Sequence, residues 1–393
     1  MFDFNYYTPT EVIFGKNAEE QVGKSVKKQS CKKVLIHYGG NSALRSGLID
    51  RIKSSLDDAS IEYVLLGGVV PNPRLSLVYE GIELCRKEGV DFILAVGGGS
   101  VIDSAKAIGY GVASGGDAWD FFNFKRKPSA CLPIGVVLTI AAAGSEMSNS
   151  CVITNGDGQI KRGCTSDLSR PRFAIMNPEL TMTLPAYQTS CGCVDILMHT
   201  MERYFTPGGN MELTDGIAEA LMRTVINNAR ILMKDPTNYN ARAEIMWAGS
   251  LSHNGLTGCG NGGNDFATHR IEHELSGNYD VAHGAGLAAL WGTWARYVLD
   301  NIPERFYKFA TRVMGCAESE DIKATALEGI CAIEDFFREI NMPTSIKELG
   351  LDLCDDDLAV MARKCAITTR GHTGSAKVLY EADMLNIFRG ANK

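Results

Sequence analysis

In its first half the chain alternates short apolar runs with amphipathic stretches. Lys33–Tyr38 (KVLIHY) reads as a buried strand followed by Gly39-Gly40, and a helical pattern then runs to about Asp58. Ile61–Leu66 (IEYVLL) predicts the next strand, and Pro71-Asn72-Pro73 punctuates the chain. Leu75, Val78, Ile82 and Cys85 mark one face of a helix that Gly89 closes. Phe92–Val96 (FILAV) predicts a third strand, running into Gly97-Gly98-Gly99-Ser100 and a helix from Val101, and 133–138 (PIGVVL) a fourth. Strand–helix alternation at this spacing implies a mostly parallel sheet covered by helices on both faces. From Pro185, placed as the first residue of a helix, the apolar spacing becomes helical and strand-like runs are few. The change predicts an α/β domain over residues 1–184 and an all-helical domain over 185–393.

At 393 residues the chain can bury two sizeable cores. Charged residues make up 22% and hydrophobic ones 45%, as in an ordinary globular protein, and the net charge of −7 argues against nucleic acid or acidic membranes as partners. No apolar run is long enough to span a bilayer, and the first residues lack the basic-then-apolar pattern of a secretory signal. The twelve cysteines are scattered with no C-x-x-C, which reads as reduced thiols in the cytoplasm.

Chemistry concentrates in the helical half. Asp195 and His199 are four residues apart, on one face of a helix; His269 and His273 repeat that spacing, and His283 follows after a Gly-Asn pair expected to end the helix. Four of the seven histidines lie in these two stretches. Either pair alone is also the spacing of a plain hydrogen-bonded pair, but a carboxylate and several imidazoles together make a site for Zn(II) or Fe(II) the leading reading. Glu272 precedes the second histidine of its pair instead of following the first, so the H-E-x-x-H of a metalloprotease is not present.

The α/β half carries the glycine-rich turns. Gly98-Gly99-Ser100 leaves a strand and opens a helix, so its backbone N–H groups could receive a pyrophosphate; a tight strand–helix turn is the alternative. Gly39-Gly40-Asn41-Ser42 follows the first strand, where the adenosine end of a dinucleotide meets such a sheet. No acidic residue lies nearby before Asp50, whereas Ser42 and Arg45 could receive a 2′-phosphate, which leans the cofactor towards NADP(H) over NAD(H). Thr139–Met147 (TIAAAGSEM) leaves a strand through small residues, either against the cofactor or packed on the core.

Together the GGGS-x-x-D-x-x-K segment (Gly97 to Lys106), the Thr8–Gly15 start, the D-x-x-x-H pair and the H-x₃-H-x₉-H run resemble the iron-dependent (group III) alcohol dehydrogenases. The stretches VGGGSVID, NPELTMTLP and ATHRIEHELSGNYDVAHGAGLA resemble their butanol dehydrogenase branch. The resemblance spans essentially the whole chain. It implies an α/β N-terminal Rossmann-like domain and an all-α C-terminal domain, the architecture also found in dehydroquinate synthase-like enzymes. It implies metal ligands Asp195, His199, His269 and His283, with His273 beside the metal for proton relay. The cofactor is implied to lie along Gly39, Gly40, Asn41, Ser42, Asn72, Gly98, Gly99, Ser100, Asp103 and Thr139. The chain departs from its relatives at Asn41, where they carry glycine, at Leu44 and Arg45 in place of two lysines, and at Ala141 and Ala143 in place of a proline and a threonine.

The expected reaction is reversible hydride transfer between NAD(P) and primary alcohols such as butanol or their aldehydes, with the metal as Lewis acid. Four protein ligands plus a substrate oxygen exceed the usual complement of catalytic Zn(II) and favour Fe(II). The resemblance also suggests a homodimer. Two alternatives stand: a metal- and NAD-dependent lyase of the dehydroquinate synthase type, which would need several Lys and Arg around an acidic substrate, and a non-enzymatic metal- or nucleotide-binding protein.

Overall fold

A computed structural model describes residues 1–393, which form two compact units. Tyr7–Thr183 make one; Leu184–Lys393 make the other, joined by Met1–Tyr6. The first six residues therefore pack with the helical unit and not with the sheet they precede, Phe2 N–H donating to the Gly260 carbonyl at 3.0 Å.

The α/β unit contains strands β1 (Glu11–Phe14), β2 (Lys33–Tyr38), β3 (Glu62–Leu66), β4 (Phe92–Gly97), β5 (Ile134–Leu138), β6 (Ser150–Asn155), β7 (Ile160–Thr165) and β8 (Phe173–Met176). Its helices are α1 (Val22–Lys27), α2 (Ser42–Arg45), α3 (Leu48–Asp58), α4 (Leu75–Glu88), α5 (Gly99–Ser114) and α6 (Trp119–Phe122). Six strands form a wholly parallel sheet in the order β1-β8-β5-β4-β2-β3, while β6 and β7 pair antiparallel in a separate ribbon. The four runs read as strands coincide with β2 to β5 within one residue. Strands β1 and β8 and the ribbon were not expected: β1 and β8 have only four residues each, too few for a period, and the ribbon mixes polar with apolar positions.

Every residue of β4 is buried, as a central parallel strand covered on both faces requires. On one face Val34, Ile36, Phe92, Leu94, Val96, Val137 and Ile175 pack with Val22 and Val26 of α1 and Leu48, Ile49, Ile52 and Leu56 of α3. On the other, His37 Nε2 meets Ser104 Oγ of α5 at 2.8 Å, and burial lowers its pKa to about 4, so it sits neutral in the core.

The helical unit comprises α7 (Ala186–Tyr204), α8 (Glu212–Lys234), α9 (Tyr239–His253), α10 (Ala267–Tyr279), α11 (His283–Val298), α12 (Pro303–Phe309), α13 (Ile322–Glu339), α14 (Asp355–Thr368) and α15 (Glu381–Ala391). Pro185 stands at the cap of α7 instead of its first turn. Helix α10 passes through Gly277-Asn278 and ends two residues later at Asp280, whose left-handed φ of 54° stops it; His283 then opens α11. Helices α7 and α11 are buried almost throughout and pack on each other. No helix is long and apolar enough to cross a membrane.

The approach of α11 to α7 depends on one missing methyl group. A Cβ at Gly284 would run into the Cys191 carbonyl of α7, and one at Gly286 would meet Glu272 of α10 at 2.7 Å. Backbone blocks the first position and cannot rotate away. Gly284→Ala is therefore expected to destabilise the protein by about 1–3 kcal/mol, the usual cost of overpacking. Denaturant unfolding measures it, and an unchanged midpoint would show that the helices do not need this contact.

Candidate active site

Helix α7 is interior along most of its length, so each polar side chain it carries inward must find a partner. Asp195, His199 and Glu202 share one of its faces; all three are buried, Glu202 completely. Asp195 Oδ1 lies 3.6 Å from His199 Nδ1, 3.6 Å from His269 Nε2 and 3.8 Å from His283 Nε2. These separations are too long for hydrogen bonds. Asp195 Oδ1, His199 Nδ1 and His269 Nε2 are buried and have no hydrogen-bond partner at all. Two donors each about 2.1 Å from one ion at tetrahedral angles stand about 3.4 Å apart, so the spacing fits a shared cation.

Two of the imidazoles are backed by buried glutamates. His269 Nδ1 is hydrogen-bonded to Glu202 Oε2, and His283 Nδ1 to Glu272 Oε2. Each contact fixes the ring and leaves its Nε2 directed at Asp195, the carboxylate–histidine arrangement that supports metal ligands. Glu202 follows His199 by three residues, and Glu272 follows His269 by three. That i,i+3 spacing was available in the sequence, but the glutamates were not recognised as supports.

The electrostatics follow from this packing. Burial pulls the His269 imidazole down, but Glu202 and Asp195 on either side outweigh it and push its pKa up to about 9. His199 is held well below the ordinary value, by burial first and then by the positive charge of neighbouring His253 and His269. The His253 ring sits 3.9 Å from that of His199, a neighbour the sequence did not indicate. Arg203 ties this corner together, donating to the His199 carbonyl at 2.5 Å and the Ser252 carbonyl at 3.1 Å, with Nη2 3.1 Å from His253 Nδ1. Phe266, at the start of α10, adopts a left-handed φ of 51° that is strained for a bulky residue, and its ring lies 5.2 Å from His269. His273 is half-buried, its ring 5.8 Å from that of His283.

In the α/β unit, adjacent strands β5, β4 and β2 end at one edge of the sheet and deliver the glycine turns together. Gly39 and Gly40 follow β2, Gly98 caps α5 directly after β4, and Thr139 after β5 donates to the Gly97 carbonyl at 3.1 Å. The carboxyl edge of such a sheet is where ligands bind. Open space surrounds the Cβ position of Gly40. At Gly98 and Gly99, by contrast, a Cβ would press on Ile140 at 3.0 Å and Ala143 at 2.8 Å, so these glycines also admit the small-residue segment after β5. Asn41 precedes Ser42, the first residue of α2, and Ser100 lies in the first turn of α5. Asn72, with a φ of 54°, accepts from Lys161 Nζ at 3.0 Å. Lys161 lies on the unexpected ribbon and was not anticipated.

Asp103 turns into the protein. Oδ1 accepts from Ser145 Oγ at 2.6 Å and Oδ2 from the Val152 N–H at 2.9 Å. Burial pushes its carboxyl above the usual range against the pull of Lys106, while burial lowers Lys106 against the pull of Asp103.

Residues 9–178 match the family described as iron-containing alcohol dehydrogenase, and residues 189–392 match the C-terminal part of the Fe-containing alcohol dehydrogenase family. The chain is 40% identical over 390 residues, 99% of each chain, to NADH-dependent butanol dehydrogenase A of Clostridium acetobutylicum. It is 33% identical to the NADPH-dependent aldehyde reductase YqhD of Escherichia coli over 90% of each chain. Among solved structures, NADH-dependent butanol dehydrogenase A of Thermotoga maritima superposes with a TM-score of 0.96 at 36% identity, covering 100% of this chain and 99% of that one. Fold, buried donor cluster and full-length similarity agree: the chain belongs to the iron-containing alcohol dehydrogenase family.

Proposed function

We propose that the protein is a metal-dependent, NAD(P)-linked alcohol dehydrogenase and aldehyde reductase acting on primary alcohols such as butanol and their aldehydes. The observation that carries this reading is the set of buried, partnerless atoms Asp195 Oδ1, His199 Nδ1 and His269 Nε2 facing one point, with His283 Nε2 3.8 Å from the same carboxylate oxygen. Asp195, His199, His269 and His283 hold one divalent cation, Fe(II) in preference to Zn(II) on the count of four protein ligands. When bound, the cation supplies Lewis acidity towards the substrate oxygen, and the dinucleotide gives or accepts the hydride.

The chain's own groups supply the rest. Glu202 and Glu272 orient the rings of His269 and His283. His273, half-buried outside the ligand set, passes the hydroxyl proton between substrate and solvent through its imidazole nitrogens. Gly39, Gly40, Asn41, Ser42 and Asn72 receive the adenosine side of the dinucleotide, and Gly98, Gly99, Ser100 and Thr139 its phosphates. Asp103 serves that site by holding the segment after β5. Ser42 and Arg45 support NADP(H), whereas the butanol dehydrogenases similar to this chain are named for NADH. On its resemblance to this family the protein works as a homodimer; its twelve free thiols suit the cytoplasm.

A lyase of the dehydroquinate synthase type finds little support. Arg203 is buried and committed to backbone carbonyls, and Arg270 Nη1 donates to Thr373 Oγ1 at 2.6 Å. Neither is placed to hold an acidic substrate.

Steady-state turnover of butanal with NADH and NADPH side by side, on protein stripped and reloaded with Fe(II) or Zn(II), tests the proposal. Cofactor consumption that depends on added metal is expected, and butanal turnover by metal-free protein would refute it. His269→Ala should lower metal affinity by more than the roughly 10–100-fold that loss of an outer partner costs, and abolish turnover. Metal content matching the wild type would remove His269 from the ligand set.

Metal binding should also depend on pH. With a pKa of about 9, His269 is protonated in the metal-free protein at neutrality, so the ion must displace a proton. Apparent affinity should rise about tenfold per pH unit from about pH 7 and level off near pH 9. Competition with a chelator across that range measures it; a flat profile would mean the ring is already neutral.

A further inference from the structure

A dense polar contact system outside the candidate metal site surrounds Lys106. Its side chain is fully buried, yet Nζ is ringed by the Ser145 carbonyl at 2.8 Å, Ser145 Oγ at 2.9 Å, the Ser148 carbonyl at 3.0 Å and the Ser150 carbonyl at 2.8 Å. A fifth oxygen, Ser148 Oγ, lies at 3.5 Å. An ammonium group has three protons to donate, fewer than the four oxygens within 3.0 Å. The seat is therefore built for a spherical positive charge, as rings of carbonyls are around a desolvated monovalent cation. Asp103 balances that charge one helical turn away, through the Ser145 hydroxyl that accepts from Lys106 and donates to Asp103.

What the seat holds is the segment running from the end of β5. Thr139 is bonded to Gly97, Ile140 lies against Gly98 and Ala143 against Gly99; Ser145, Ser148 and Ser150 are then gathered by Lys106. Apart from Ile140 and the buried Met147, the segment is built of small and polar residues, so polar contacts carry much of what fixes it. We propose that Lys106 is a positioning residue for the dinucleotide site: its tethered ammonium takes the place of a monovalent cation and fixes the 139–150 segment over the turn that joins β4 to α5. This rests on the reading that the Gly98-Gly99-Ser100 turn receives the cofactor.

Full-length, metal-loaded Lys106→Ala protein tests it, with melting temperature and NADH binding by fluorescence read in choline, potassium and ammonium chloride. In choline the variant should melt lower and bind NADH about tenfold or more weakly. Metal content should stay at the wild-type level. Potassium or ammonium should restore both properties in the variant and leave the wild type unchanged. NADH binding unaffected in choline, or a loss in a folded variant that neither cation restores, overturns the proposal. If Lys106→Ala does not fold, Lys106→Gln fills the seat without charge and should show the same loss of NADH affinity; wild-type affinity there would count equally against it. Failure of the wild type to bind either NADH or NADPH would refute the dinucleotide reading instead, while the cation response of the melting temperature still decides whether the seat takes a cation.

Discussion

Buried negative charge in need of a positive partner is the constraint around which the helical unit is arranged. Asp195, Glu202 and Glu272 are 4%, 0% and 0% exposed. The effective cost of burying a single such charge is several kcal/mol unless it is paired. Glu202 and Glu272 meet imidazole nitrogens directly. Asp195 Oδ1 does not; three ring nitrogens stand around it just beyond hydrogen-bonding distance. Bringing those rings together requires α7, α10 and the first turn of α11 to approach with almost no side chain between them, which Gly284 and Gly286 allow. The strained backbone of Phe266 and the clamp of Arg203 belong to the same arrangement, since each fixes a residue beside His199 or His269.

The two units meet the same electrostatic demand by different means. In the α/β unit the cation is a lysine side chain, joined covalently to α5 and enclosed by oxygens. A tethered ammonium cannot exchange and offers nothing to an outside molecule, which suits a device that only holds a segment in place. In the helical unit the unpartnered atoms are Asp195 Oδ1, His199 Nδ1 and His269 Nε2, and the positive charge among them is a proton on His269. A proton can be exchanged for a metal ion, and a divalent ion held there would keep coordination available for a further oxygen.

Much of this was legible in the sequence because the determining patterns are local. β2 to β5 are apolar runs bounded by glycine or proline, and the D-x-x-x-H and H-x-x-x-H pairs declare their shared helical face through spacing alone. The parts that escaped reading are set by contacts far apart in the chain. His253 reaches His199 only because α9 packs on α7. The oxygens around Lys106 lie 39 to 44 residues away from it, and Lys161 is 89 residues from Asn72. Gly277-Asn278 misled for the opposite reason: glycine lowers helix propensity by only about 1 kcal/mol, and buried packing around Ser276 and Gly277 carries α10 past it.

The division of labour among the histidines follows from their surroundings. His269 lies between two carboxylates and in the metal-free protein holds a proton there, a placeholder for the positive charge the site requires. His199 is kept neutral by burial and by its positive neighbours. In the proposed site both rings would give their lone pairs to a divalent ion, and neither could then also carry a substrate proton at neutral pH. His273 stands outside the proposed ligand set. It lies one helical turn beyond His269 on the same face of α10, half-buried, close enough to His283 to share its surroundings. On the proposed reading, the i,i+4 spacing that first suggested a pair of ligands would separate two tasks along one helix face, charge at His269 and proton movement at His273.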